Sequence, residues 1–178
     1  MQYGANIIKT ADNEQLASNS VLRLSHTEED PADQFVKGQR DIKRRLQQAV
    51  VYGKAALKDF VRKSAYEKAA DGKSPFDVAF ADFLNAPSID AIDLSEYTGR
   101  VGSRIFITVI DDFIVTSVFV KIQNSDGSVA DEGYAAQGLF ATEWIFTASR
   151  DNPVLKGDKI TITATDLPGN DSDLEHHL

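Results

Sequence analysis

The sequence contains no cysteine, which excludes disulfide bonds, thiolate zinc sites and cysteine nucleophiles. Its apolar runs reach only about six residues, whereas a membrane-spanning helix requires roughly 20. At the start of the sequence, no basic segment is followed by an apolar one, so no secretory signal is visible. We therefore expect no membrane span. The localisation stays open between the cytoplasm and a secreted protein whose signal has been removed.

Residue patterns that are typical of catalytic sites are also missing. The motifs G-x-S-x-G and H-E-x-x-H do not occur, and the glycines are scattered at turns instead of forming a phosphate-binding loop. The sequence has three histidines. His26 lies in a loop-like segment without an obvious partner, and His176 and His177 follow Leu174-Glu175 in a way that resembles a purification tag. The sequence thus predicts a protein that is not an enzyme and needs no cofactor.

Charge is distributed unevenly along the chain. The net charge is −8, yet residues 33–74 contain eleven Lys and Arg against five Asp and Glu. The remaining residues contain eight basic against twenty-two acidic side chains. A basic segment inside an acidic protein suits an acidic protein surface, a second copy of the chain, the chain's own acidic half or a nucleic acid.

The first half of the sequence has the helical period. Asp30 suits an N-cap, Pro31 suits the first helical position, and apolar residues follow at helical spacing. Gly72, after Asp71, suits a helix end in the left-handed conformation. The expected helices are one long amphipathic helix from about Pro31 to Lys63 and two short ones, Ala65–Ala70 and a Phe-rich helix that begins at Ser74-Pro75 and ends at Asn85.

After Pro87 the period changes from about 3.6 to 2. Segments rich in Val, Ile, Thr and Phe alternate with turns that contain Asp, Asn and Gly. Because no helical segment separates them, the pattern predicts an antiparallel sandwich or barrel. The main expected strands are Arg104–Ile110, Ile114–Gln123, Val129–Ala135, Glu143–Ala148 and Lys159–Thr165.

The last two of these strands resemble those of bacterial immunoglobulin-like domains. Residues 144–148 (WIFTA) form an aromatic-x-aromatic strand, and residues 164–170 (ATDLPGN) match the A-x-D-x-x-G-N ending of that group. Residues 115–120 (VTSVFV) are similar to the group's earlier hairpin, although Phe113 and Ile114 replace its usual small residue and glycine. The resemblance covers about 75 of the 178 residues. It implies an immunoglobulin-like sandwich and little about function, because such domains serve as spacers, adhesive modules and enzyme appendages.

The predicted fold class is therefore α+β, a helical segment followed by an antiparallel immunoglobulin-like β-sandwich. The helical half resembles no characterised family. The expected organisation is an arm or loop with a possible short strand over residues 1–30, a helical region over 31–87, the sandwich over 88–170, and a disordered, possibly tag-derived tail over 171–178.

The basic side of the long helix is the candidate partner-binding site. Docking on an acidic protein surface is favoured over nucleic-acid binding, because this side lacks aromatic residues for base stacking, apart from Tyr52 at its edge, and the whole chain is acidic. One apolar residue in the middle of the charges, Val51, also favours a protein contact. The candidate residues are Arg40, Lys43, Arg44, Arg45, Val51, Lys54, Lys58 and Arg62.

Acidic and amide residues beside turns are the candidate metal site. Calcium takes about six to eight oxygen ligands, and the ends of a sandwich bring turns together. No D-x-[DN]-x-[DN]-G loop occurs, however, and Asp and Asn suit turns for conformational reasons alone. Turn formation is the favoured interpretation, and a calcium site is the alternative. The residues concerned are Asp111, Asp112, Asp166 and Asn170.

These observations favour a non-enzymatic protein-interaction or assembly module of a bacterial or phage protein. A protein partner or self-association would use the basic helix and the acidic sandwich. The alternatives are a nucleic-acid-associated protein that uses the basic side of the helix and a calcium-dependent surface or carbohydrate-binding module.

Overall fold

The computed structural model describes residues 31–178, with side chains from residue 35 onward. The arm and short strand predicted within residues 1–30, and His26, lie outside the described residues. The chain divides into two units, Met1–Gly38 and Gln39–Leu178. All the contacts below lie within the second unit.

Helices precede strands along the described chain, which confirms the predicted α+β class with its two antiparallel sheets. No helix within residues 31–178 has the length and apolar character needed to cross a membrane. The helices are α1 (Pro31–Ala56), α2 (Phe60–Ala69) and α3 (Pro75–Leu84); the strands are β1 (Ser88–Asp93), β2 (Arg104–Ile110), β3 (Val115–Gln123), β4 (Val129–Tyr134), β5 (Ala136–Gln137), β6 (Glu143–Thr147), β7 (Lys159–Asp166) and β8 (Asp171–His177).

The long helix predicted to reach Lys63 ends at Ala56 instead. Asp59 has extended backbone angles, φ −81° and ψ 124°, and its carboxylate accepts a hydrogen bond from the backbone N of Arg62 at 2.8 Å. It is therefore the N-cap of a new helix. The prediction of one continuous helix, with a separate one only from Ala65, is wrong. The apolar spacing continues across the break, whereas the local capping preference of Asp decides where the helix restarts.

The start of α3 agrees with its sequence signals. Ser74 accepts a hydrogen bond from the backbone N of Asp77 at 3.1 Å, and Pro75 occupies the first helical position. Close to this helix, Gly53 of α1 packs against the ring of Phe76, since a Cβ at Gly53 would lie 2.9 Å from that ring. The glycine thus permits the close approach of α1 and α3.

Two four-stranded antiparallel sheets form the second half, which confirms a β-sandwich. Their strand orders are β1-β2-β6-β5 and β4-β3-β7-β8. Alternation along β2 buries Ile105, Ile107 and Val109 in the core. Trp144 and Phe146 of β6 are buried in the same core, since residues two positions apart in a strand face the same side.

A second, smaller core lies beneath the helices. Ala56, Tyr66 and Ala79, one from each of α1, α2 and α3, are fully buried there. Phe113 and Leu167, which come from sandwich turns, pack against them. This core therefore attaches the helices to one end of the sandwich.

The disordered tail predicted from residue 171 is wrong, because these residues form β8. It pairs with β7 in continuous register from Lys159↔His177 to Thr165↔Asp171. Its outward-facing acids make cross-strand contacts: the hydroxyl of Thr163 donates to Asp173 at 2.6 Å. Apolar alternation does not reveal this strand in the sequence, because its solvent-facing positions at the sheet edge carry charged residues.

Deletion of residues 171–178 tests whether β8 is part of the fold. The deletion removes a full strand ladder and uncovers the edge of β7, so we expect a loss of at least about 3 kcal/mol in the free energy of unfolding, measured by urea denaturation. A disordered tail would leave the urea midpoint unchanged. The matched control is His177→Thr, which keeps a strand-forming residue at an exposed position.

Candidate functional site at the seam between helices and sandwich

Three carboxylates from three different elements meet where the helices join the sandwich. Asp82 belongs to α3, Asp111 directly follows β2, and Asp166 is the last residue of β7. Asp166 pairs with Val115 at the start of β3, so the β2–β3 turn and the end of β7 lie at the same end of the sandwich. One carboxylate oxygen from each residue lies within 4.8 Å of the others.

Asp82 is the deepest member of this cluster, with only 1% of its surface exposed. Its Oδ2 accepts a hydrogen bond from the hydroxyl of Tyr66 at 2.5 Å. That hydroxyl in turn lies 2.7 Å from the hydroxyl of Tyr52, and the ring of Phe113 stacks on Tyr66 with centroids 4.5 Å apart. The Oδ1 atom of Asp82 has no hydrogen-bond partner among the described residues.

Asp166 organises the turn between β7 and β8. Its Oδ1 accepts hydrogen bonds from the backbone N of Gly169 at 2.8 Å and of Asn170 at 2.6 Å. The amide Nδ2 of Asn170 donates to Asp166 Oδ2 at 2.7 Å, and it also lies 3.2 Å from the carbonyls of Phe83 and Asn85. Since the last carbonyls of a helix have no partner within the helix, Asn170 caps the end of α3 from the sandwich.

The predicted metal residues separate into two groups. Asp111 and Asp166 meet in the cluster, and the Oδ1 of Asp111 is a second buried oxygen without a partner among the described residues. Asp112 is exposed and accepts a hydrogen bond from Asn85 at 2.7 Å, and Asn170 is engaged with α3. Asp82 was not predicted from the sequence. Its only signal is an acid three residues after the buried Ala79, on an otherwise apolar side of a helix.

Burial and like charge raise the pKa values of two of these acids. Burial is the main cause that raises the pKa of Asp82 from 3.8 to about 7, and Asp166, Asp111 and Asp112 add to it, while the hydrogen bond from Tyr66 lowers it. Burial also raises the pKa of Asp111. No ion pair within residues 39–178 joins the three carboxylates to a Lys or Arg. The cluster can therefore hold a proton or a cation near neutral pH.

The basic residues predicted as one partner-binding surface lie on two helices and the link between them. Arg45 lies at the junction of the helices and the sandwich, which we call the seam and which contains Asp82, Asp111 and Asp166. Its Nη2 lies 3.3 Å from the carbonyl of Leu84, and its guanidinium lies 5.9 Å from the ring centroid of Phe83. Arg44 forms an exposed ion pair with Asp41 at 3.0 Å. The other basic candidates are exposed: Arg40, Lys43, Lys54 and Lys58 on α1 and just after it, and Arg62 on α2.

An apolar groove of about 570 Å³ lies between α2 and the β2–β3 turn. Phe60 and Val61 form its outer wall and are 84% and 74% exposed. Val51, predicted as a contact residue, is 68% exposed and lines a smaller depression of about 430 Å³ beside Arg44. The groove residues are Phe60, Val61, Ser64, Ala65, Lys68, Ala69, Phe113 and Ile114.

No family model matches this chain, and no curated protein matches its sequence. CopC from Methylosinus trichosporium OB3b is similar to 51% of this chain over 88% of its own length, with 13% identity and a TM-score of 0.38. A fungal alcohol oxidase of the AA5 family, solved in complex with copper, is similar to 52% of this chain over 20% of its own length, with 18% identity and a TM-score of 0.33. At these scores the likeness carries no argument about function.

Replacement of Asp82 by Asn tests the electrostatics of the seam. Because the pKa of Asp82 in the folded chain lies above its value of 3.8 in an unfolded chain, its contribution to stability is complete below about pH 4 and is lost as the pH rises through 7. In chelator, wild-type protein should thus lose roughly 2 to 4 kcal/mol of unfolding free energy between pH 4 and pH 8 from this group. The titratable and charged groups around the Asp82 carboxyl group are Tyr66, Tyr52, Asp111, Asp112 and Asp166, and Arg45 lies behind Asn170.

The amide introduced by Asp82→Asn mimics the protonated acid, so this variant should match wild type near pH 4 and exceed it in stability at pH 8. Urea denaturation at both pH values measures the difference. Asp112→Asn is the control, since Asp112 is exposed and contributes least among the acids that raise the pKa of Asp82, so this variant should keep most of the pH dependence. If Asp82→Asn lowers stability equally at both pH values, the carboxyl group is ionised throughout and does not hold a proton at the seam.

Proposed function

We propose that this chain is a non-enzymatic protein-interaction module that docks its partner in the groove of α2. The observation that carries the proposal is the exposure of Phe60 and Val61, which project from the first turn of a helix into solvent. Both side chains line the apolar groove, and a contiguous exposed apolar surface is typical of interaction sites.

These two side chains take no part in the apolar packing that holds α2 in place. Tyr66, on the same helix, is fully buried and attaches α2 to the seam through its hydrogen bond to Asp82. Phe60 and Val61 belong to neither apolar core. Packing therefore does not explain their presence at the surface, which supports a role in binding.

The charges around the groove favour a particular kind of partner. Lys68 lies in the groove, and Lys58 and Arg62 flank its outer wall in sequence. We infer a partner protein that inserts an apolar side chain flanked by acidic residues, since charge complementarity steers association and fixes orientation. The groove side chains are apolar apart from Ser64 and Lys68, which suits docking and offers no acid–base pair for catalysis.

The strand order supports an immunoglobulin-like sandwich as the scaffold. Lettered in chain order, with β4 in the C′ position, the strands give A-B-E-D in one sheet and C′-C-F-G in the other. That is the arrangement of immunoglobulin-type sandwiches. Many such domains present binding surfaces on a rigid frame, which agrees with an interaction role.

Nucleic-acid binding remains the alternative, carried by the exposed basic residues of α1. The engagement of Arg45 with α3 and of Arg44 with Asp41 weakens it, because fewer cations are then arranged for phosphate contacts. Anisotropy with labelled single-stranded and duplex oligonucleotides at low salt separates the two functions. Binding to oligonucleotides that Phe60→Ser leaves intact would favour the alternative.

Selection from a library of random displayed peptides tests the proposed docking. We expect enriched peptides that carry an aromatic or aliphatic residue next to Asp or Glu, with affinity that falls as salt rises. Replacement of Phe60 by Ser should weaken the binding of a selected peptide at least about tenfold, measured by fluorescence anisotropy.

Leu139→Ser provides the matched control, since Leu139 is 95% exposed and lies outside the groove. It should leave peptide affinity unchanged. Light scattering of wild type at several concentrations shows whether a second copy occupies the groove instead. Failure to enrich any peptide whose binding depends on Phe60 would contradict the proposal.

A further inference from the structure

We propose that Asp82, Asp111 and Asp166 bind one divalent cation with the size and hardness of calcium. The inference uses different residues from the docking groove, apart from the shared neighbour Phe113, and it stands if the docking proposal fails. It begins with the geometry: three carboxylates converge from α3, the β2–β3 turn and the end of β7.

The second observation is that two buried oxygens in the cluster have no partner among the described residues. They are Oδ1 of Asp82, whose side chain is 1% exposed, and Oδ1 of Asp111. A buried carboxylate oxygen without a hydrogen bond or a counter-charge is costly. Each atom belongs to a carboxylate of the cluster, whose ligand oxygens lie within 4.8 Å of one another, so a single cation bound there would neutralise both residues together.

Another buried acid of the same chain shows that carboxylate oxygens without a partner are not a general property of this fold. Asp131, also 1% exposed, accepts hydrogen bonds at both oxygens: from Ser149 N and Arg150 N at Oδ2, and from Glu132 N and Ser149 Oγ at Oδ1. The sandwich thus satisfies a buried carboxylate fully where only structure is required. The contrast indicates that the cluster is arranged for a ligand.

The ligand atoms define the class of cation. All three side chains offer oxygen, and neither His nor Cys belongs to the group, which favours a hard ion over zinc or copper. The three oxygens all lie within 4.8 Å of one another, and oxygens on opposite sides of a calcium ion lie roughly 4.8 Å apart, so one ion of this size can contact all three. Calcium also accepts irregular oxygen coordination, whereas magnesium requires a near-ideal octahedron and keeps several waters. Asp111 is half-buried, so water can complete the coordination from its side.

A cation at this position would join the helices to both sheets. Asp111 follows a strand of one sheet, Asp166 ends a strand of the other, and Asp82 belongs to α3. Because Phe113 lies two residues after Asp111 and forms part of the groove, cation binding would also fix one wall of that groove. Binding to the folded state alone raises its stability.

Calcium titration of the full chain, after removal of metals with a chelator, tests the proposal. We expect one ion per chain by isothermal titration calorimetry and a rise in melting temperature of roughly 3 to 8 °C at saturation. Magnesium should bind at least about tenfold more weakly. Terbium, a luminescent substitute for calcium, should show emission sensitised by tyrosine, because the hydroxyl of Tyr66 lies 2.5 Å from Asp82.

Asp111→Asn should lower calcium affinity at least about tenfold, since it removes a ligand charge while its amide oxygen can keep the hydrogen bond from Phe113 N. Asp112→Asn, the adjacent control, should bind calcium as wild type does. Calcium binding that is equal in Asp111→Asn and wild type would show an ion bound elsewhere and would overturn the proposal. The absence of heat, of a melting shift and of sensitised terbium emission in wild type at about 10 mM ion would overturn it too, whatever the variants do.

Discussion

The hydrogen bond between the hydroxyl of Tyr66 and the buried carboxyl group of Asp82 connects α2 to α3 beneath the surface. The same carboxyl group lies beside Asp111, in the turn after β2, and Asp166, at the end of β7. A buried acid in such surroundings needs a proton or a counter-ion, because no basic side chain within residues 39–178 neutralises it. The junction of the helices and the sandwich therefore contains a buried charge that a proton or a cation has to neutralise.

Buried carboxylates are stabilised differently in the sandwich and at the seam. Within the sandwich, Asp131 is held by backbone and hydroxyl donors, chiefly from a single neighbouring loop. At the seam, Asn170 and Arg45 satisfy the carbonyl end of α3 from outside the helix, while Asp82 and Asp111 each keep an oxygen without a partner among the described residues. The hydrogen bonds of Asp131 are therefore complete within the chain. Those of Asp82 and Asp111 are completed by a proton or an ion, so the seam can respond to solution conditions.

Much of the fold could be predicted from the sequence because local rules determine it. Alternation of Val, Ile and Thr with Asp- and Gly-containing turns specifies the central strands, and Ser74-Pro75 specifies the start of α3. The break at Asp59 was missed because helical spacing of apolar residues continues through it. The strand β8 was missed because its pairing depends on β7 and not on its own apolar content.

In the candidate site, too, some residues could be predicted from local sequence rules and others depend on tertiary packing. Asp111 and Asp166 could be placed together because both end strands at one end of a sandwich, whereas the inclusion of Asp82 depends on how α3 packs. Phe113 and Ile114 depart from the immunoglobulin-like pattern at a turn, and the structure shows contacts that explain the departure. Phe113 stacks on Tyr66, and Phe113 and Ile114 both line the groove, so the departure marks where the helices join the sandwich.

The most direct test of the seam is the titration of the Asp82 carboxyl carbon by ¹³C NMR in the presence of chelator, from about pH 3 to pH 9. We predict an inflection near pH 7, which reflects a buried carboxyl group surrounded by other acids. An inflection near the ordinary value of 3.8 would contradict this, because Asp82 would then be solvated or neutralised by a basic group and the seam would not depend on its charge.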